Sequence, residues 1–402
     1  MQSSFRPFST ARGAIALIGA AAAVVALVFA VSVQAARAPF KVLQIIPNSG
    51  VLAGVGKTEG AGMRAAANVV NRSGGILGSQ VELTVRDSAG DGAKATATAL
   101  QEIGSNNYNL VSCGALLAEG LPCAAAIDKT EPLKIPAIQD ESFNRLSRTF
   151  GVGSLYEPVE EGVVRQMIRK RVRSFVHLTG DNASGRTSAA AMEKAARKHR
   201  RKIRLLRVIF VPVTQTDATP QIQQAIAENP RALSISAFTA ANLPMLRARK
   251  KLGLDIPVYT DWLFTTGALN AVTAEERAGV TTQMWPWAIK GHRATRARGF
   301  RQFATEFNKE IAGPVPLAIP APVTAWNIIM LARAAARTAK STNPDRMVRA
   351  MSRLTTSRRV PGFFGVSKLY DRRHRNPQAS PNDWIFVRAG TTGTDGYITP
   401  DR

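Results

Sequence analysis

Apolar and polar positions change period along this chain, and each change marks an element. Leu43, Ile45 and Ile46 form a first apolar run. Met63, Ala66, Ala67, Val70 and Asn71 then recur at helical spacing. Gly74 and Gly75 stop that helix, and Val81, Leu83 and Val85 alternate as a strand does. A strand, a helix and a strand in this space make a right-handed crossover between parallel neighbours. Ligands of such sheets bind beyond the carboxyl ends of the strands, which points to the Gly-rich loop expected at 48–57.

The alternation continues steadily. Helices are predicted at 93–103, 116–129, 159–171, 187–199, 216–229 and 243–252, with strands at 108–113, 135–138, 174–178, 203–210, 232–235 and 257–260. From Val280 a further strand leads to helices at 297–311, 323–340 and 345–354, and 363–387 reads as short strands and turns. Two βα series of similar size predict an α/β protein with two doubly wound parallel-sheet lobes. Residues 37–153 with 288–355 are expected in the first lobe, and 154–287 with 356–402 in the second. Repeated crossings between lobes make a hinge with a ligand cleft between them.

One motif is a decoy. Gly54, Val55, Gly56, Lys57 and Thr58 look like the end of a phosphate-binding loop, but the glycine required five residues before Gly56 falls on Val51.

Composition adds an address and a charge. Arg6 and Arg12 precede an almost wholly apolar run at 14–33, and Val33, Gln34 and Ala35 fit a small-residue cleavage site. This reads as a signal peptide over residues 1–35, with an uncleaved membrane anchor as the alternative. No cysteine follows the run, which argues against lipid anchoring. The expected location is the periplasm or the exterior. Cys113 and Cys123 would then meet an oxidising compartment, as a disulfide or as buried free thiols. Neither has a nearby histidine to make a nucleophile or metal pair.

The net charge is +25, and +23 remains beyond residue 35 because Arg6 and Arg12 are the only charges removed. Basic residues cluster at 165–173 and 197–207. Such runs are commonly solvated helix faces, and no aromatics interleave with them as nucleic-acid binding would require. No GxSxG, HExxH or CxxC occurs, and His177, His199, His292 and His374 are scattered. Glu160 and Glu161 are adjacent, so on a helix they point apart. An enzyme, a cofactor, a metal site and a nucleic-acid partner are not expected.

Four stretches, read together, resemble a known family. GMRAAANVVNRSGGILGSQVELTVRDSAGD, KIPAIQ, FVHLTGDNASGR and ARKKLGLDIPVYTD, in that order and spacing, look like type I periplasmic binding proteins, closest to the branched-chain amino-acid receptors of ABC importers. The resemblance covers nearly everything after Pro39. It implies two α/β lobes joined by three hinge strands, no catalysis, permease subunits as partners and a monomer. It places first-lobe ligand contacts at Val55, Ala118, Glu141 and Phe143, with Ser142 beside them. It places second-lobe contacts at Ser184, Phe238 and Trp262, with Asp261 one residue from the position that receives an α-ammonium. Ala118 and Phe143 cannot donate to a carboxylate, and Trp262 cannot neutralise an ammonium. The expected ligand is therefore flatter or more apolar than a branched-chain amino acid, such as an aromatic or other organic acid. Capture and delivery to an importer is the leading function; ligand sensing for a membrane partner is the alternative.

Overall fold

The computed structural model describes residues 37–237, 242–262 and 268–401. The first sheet begins with β1 (Phe40–Ile46), whose residues are almost all buried, as a central parallel strand requires. The chain then forms α1 (Ala53–Arg72), β2 (Val81–Asp87), α2 (Gly92–Ser105), β3 (Leu110–Cys113), α3 (Leu117–Ile127) and β4 (Leu133–Lys134). The strand order is β2-β1-β3-β4, parallel throughout. Asn71, at the end of α1, fixes the start of β2 by accepting from the Val81 N–H at 2.7 Å and donating to the Val81 carbonyl at 3.0 Å.

The second series is α4 (Tyr156–Arg169), β5 (Ser174–Gly180), α5 (Ala183–Lys198), β6 (Arg204–Val211), α6 (Thr219–Ala227), β7 (Leu233–Ser236), α7 (Asn242–Lys251), β8 (Val258–Thr260), the single turn α8 (Ala274–Arg277) and β9 (Val280–Met284). The helices α9 (Arg298–Glu310), α10 (Pro320–Ala339) and α11 (Pro344–Met351) follow, then β10 (Ile385–Arg388), β11 (Gly390–Thr392) and β12 (Ile398–Pro400). The second sheet runs β10-β9-β8-β7-β5-β6, with β10 antiparallel at the edge. The architecture is thus α/β with two parallel-dominated sheets.

The late helices return to the first sheet. Gly62 of α1 meets Pro322 of α10 so closely that an added Cβ would lie 2.2 Å from the Pro322 carbonyl oxygen. Around this contact Phe300, Phe303, Phe307 and Trp326 form an aromatic core, with Phe303 edge-on to Trp326 at 5.3 Å. Each such ring contributes roughly 1.5–3 kcal/mol by burial alone. The tail divides: Val360, Val366, Leu369 and Tyr370 join this core, whereas Ile385–Arg388 pairs with β9.

Some expected elements differ. The loop expected through Lys57 is already helical from Ala53, so the nucleotide-like motif is the first turns of a helix. Thr58 Oγ1 donates to the Gly54 carbonyl at 2.7 Å and Lys57 Nζ to Ala312 at 2.8 Å. Gly56 is required because a Cβ there would lie 2.2 Å from the Pro47 carbonyl oxygen. The strand expected at 135–138 does not form. Ile135 still donates to Val111 at 3.0 Å, but Pro136 has no N–H to continue the ladder. The segment 363–380 carries no strand. Cys113 and Cys123 are joined by a disulfide that ties β3 to α3.

The basic runs are exposed faces with ion pairs. Glu161 takes Arg165 at 2.6 Å and Lys198 at 2.9 Å, and Arg207 meets Glu228 at 3.2 Å. No helix among the described residues is long and apolar enough to cross a membrane.

Candidate functional site

A cleft of about 1010 Å³, counting the part open to solvent, lies where both lobes present the ends of their strands. From the first lobe come Val55 and Glu59 of α1, then Ala115–Ala118 at the β3–α3 junction, and Ile138 and Gln139. From the second come Tyr156 of α4, Asn182, Ala183 and Ser184 at the start of α5, and Trp262 after β8. Leu317, Ala318 and Ala321, leading into α10, complete the wall. The lining is mainly aliphatic and aromatic, and none of the described lining residues is Lys, Arg or His. A second chamber of about 500 Å³, walled by Trp285, Trp287 and Phe364, shares Gln139, Trp262 and Thr324 with the cleft.

Local sequence explains the placement. The N–H groups at a helix start have no partner within the helix. At α5, Asn182 caps by accepting from the Gly185 N–H at 2.8 Å, holding Ala183 and Ser184 on the rim. At α3 no cap residue is present, and Glu119 of the first turn turns back to accept from the Ala115 N–H at 3.0 Å. Its other oxygen accepts from Ser88 Oγ at 2.6 Å.

Acids stand behind both walls. Glu59 is 4% exposed, and its Oε2 has no hydrogen-bond partner. Burial, and secondarily Glu119, hold its carboxyl well above the usual range. On the other side Ser236 Oγ donates to Asp261 at 2.5 Å and Ser188 Oγ donates to Glu160 at 2.5 Å. Burial, then Asp261, pushes Glu160 up as well. Tyr156 is raised by burial first, and then by Asp261, Glu160 and Asp140. His177 lies beside Ser188 and Ser234, and burial lowers it to about 3, so it is neutral. The serine therefore stands between acid and imidazole, not at the end of a nucleophile–base–acid relay, and all three side chains are sealed from solvent.

Of the residues expected at the site, Val55, Ala118, Ser184 and Trp262 line this cleft. Glu141 and Ser142 are exposed on a short 3₁₀ turn (Glu141–Arg145). Phe143 of the same turn is 0% exposed among Leu117, Ile138 and Tyr156, behind the wall instead of on it. Asp261 is 1% exposed and faces the buried serine, not the lining. Phe238 lies outside the described residues. Glu59, Tyr156 and Asn182 were not anticipated. Glu59 had a legible signal, a charged residue on the apolar stripe Val55–Glu59–Gly62–Ala66 of one helix face.

Residues 39–393 match the family model described as periplasmic binding protein. No curated protein sequence matches the chain. Solved structures with the same fold include a periplasmic binding protein type 1 from Bordetella pertussis Tohama I, 13% identical over 90% of this chain and 100% of that one, TM-score 0.75. Another is a fatty acid ABC transporter substrate-binding protein from Thermomonospora curvata, 16% identical over 90% and 91%, TM-score 0.71. A third is an ABC transporter solute binding protein from R. palustris in complex with benzoate, 15% identical over 90% and 98%, TM-score 0.71. The chain belongs to the type I periplasmic binding proteins, the family that includes the branched-chain amino-acid receptors of ABC importers.

Proposed function

We propose that the protein is an extracytoplasmic receptor that closes its lobes over a small, largely apolar solute and delivers it to the permease of an ABC importer. The observation that carries this reading is the cleft, lined mainly by apolar side chains from both sheets. A ligand touching Val55 and Leu117 on one side and Tyr156 and Trp262 on the other favours the closed arrangement by bridging the lobes. The lobes we assign are 37–153 with 288–355, and 154–287 with the C-terminal strands, the segment around Val360–Tyr370 belonging with the first.

A simple branched-chain amino acid fits poorly. Ala118 has no hydroxyl for an α-carboxylate, and Trp262 stands beside Asp261, which is already bonded to Ser236. The relatives solved as a fatty-acid receptor and as a benzoate complex support a ligand with an apolar body.

The test is a thermal-shift screen of the chain from Ala36 onward, with amino acids, aromatic acids, amides, amines and short-chain acids. A compound at 100 times its Kd raises stability by about 2.7 kcal/mol. The expected outcome is a clear Tm rise with one or more apolar compounds and none with leucine. Micromolar leucine binding would restore the amino-acid role, and silence across the panel would count against a receptor. Mass spectrometry of the exported protein, expected to begin at Ala36, tests the leader.

A further inference from the structure

Among the described residues that line the cleft, Glu59 is the only Asp, Glu, Lys, Arg or His. Glu59 lines it and is buried with an unpartnered Oε2. Glu119 is the charged group set against Glu59. On the far wall Tyr156 lines the cleft with Asp261 and Glu160 near its hydroxyl, and Trp262 lines it too. No basic side chain lines the space between among the described residues.

Resting on the receptor reading above, we propose that the cleft takes a small organic cation, a protonated amine on an apolar body, with its nitrogen donating to Glu59. An anionic head group could meet the first N–H groups of α3, but only beside the buried carboxyls of Glu59 and Glu119, with no Lys, Arg or His among the described lining residues to offset the repulsion. An ammonium meets the opposite situation. It supplies a donor and a counter-charge to the carboxyl of Glu59, which lines the cleft and stands against Glu119, in surroundings where unpaired charge is expensive. The faces of Trp262 and Tyr156 add an aromatic surface suited to a cation. The mainly apolar lining suits an organic cation.

In the empty protein a proton on Glu59 relieves the same strain, which is why burial and Glu119 raise its carboxyl. Binding exchanges that proton for the ammonium and releases it to solvent.

The experiment uses matched probes on the mature chain: benzylamine, benzyl alcohol and benzoate, and isoamylamine, isoamyl alcohol and isovalerate. Calorimetry in two buffers of different ionisation enthalpy reads affinity and proton release together. The amines are expected to bind at least tenfold more tightly than the matched acids, releasing protons. Glu59→Gln should weaken the amines at least tenfold and abolish the release, while its own Tm shows that it folds. Acids binding as tightly as amines would overturn the charge assignment and leave the receptor standing. Alcohols binding best without proton release would overturn it in favour of a neutral donor. If all six fail while another member of the broader panel binds, the cation is also excluded; if nothing binds at all, the receptor reading fails.

Discussion

Lys134 shows what burial does to one charge. It is 1% exposed, and its Nζ donates to the carbonyl oxygens of Asp128, at 3.2 Å, and Thr130. Burial first, and then Arg148, lower its pKa to about 7, with Asp128 opposing. The unfolded chain keeps the ordinary lysine value, so between about 7 and 10.5 the unfolded state holds the extra proton. Stability from this group is therefore full above 10.5 and is lost as pH falls through 7. Lys134→Met should raise Tm at pH 6 by a few degrees, with a smaller gain at pH 9, in a fluorescence melting series. A gain independent of pH would show that the lysine is not titrating in the fold. The sequence makes Lys134 look like a surface residue after a turn, because nothing local reports that the chain at Arg148 and Phe150 pairs with its backbone. The same limit applies to Phe143 and Asp261. Their positions near the site were legible, but whether a side chain faces a cleft or the layer behind it is decided by packing between lobes.

Elements were more legible than side chains, because a period is a local property. The strand–helix–strand unit from β1 to β2 follows directly from its apolar spacing, its glycines and Asn71. What escaped was the start of α1, since Gly54 and Gly56 read as loop until their close approaches, to Pro316 and to Pro47, explain them. The tail escaped too, because its attachment is tertiary: Trp326 donates to the Gly362 carbonyl at 2.8 Å, and Asn327 donates to Phe364 at 2.6 Å. The α1–α10 crossing gives a test. Gly62→Ala places a Cβ against the Pro322 backbone, which cannot swing aside as a side chain would. The expected cost is roughly 1–3 kcal/mol in urea unfolding, in spite of the better helix propensity of alanine. Gly104→Ala is the control: no atom lies within 4 Å of its added Cβ, and it should be neutral or stabilising by up to about 1 kcal/mol. Equal behaviour of the two variants would mean that the helices do not meet at Gly62.

At the scale of the whole molecule two fields oppose each other. Beyond residue 35 the chain carries +23, whereas Glu59 in the cleft wall and Glu160 behind it are buried carboxyls. The far field acts on a ligand before contact and is screened over about 10 Å at 0.1 M salt, while the buried carboxyls act only at short range and are screened far less. A cationic ligand must therefore approach against the net charge and be held by the local one. Its association rate should rise as salt is added, because screening removes the repulsion, and its dissociation rate should change little. Stopped-flow tryptophan fluorescence with benzylamine, reporting on Trp262 in the cleft wall, reads both rates between 10 and 300 mM NaCl. An anionic ligand reverses the sign, since +23 would steer it inward and salt would slow it. The slope thus tests the charge of the ligand through the outer surface of the protein, independently of any substitution at Glu59. A rate that falls with salt would place the recognised charge on the other side of zero and leave the acids around the cleft as structural groups.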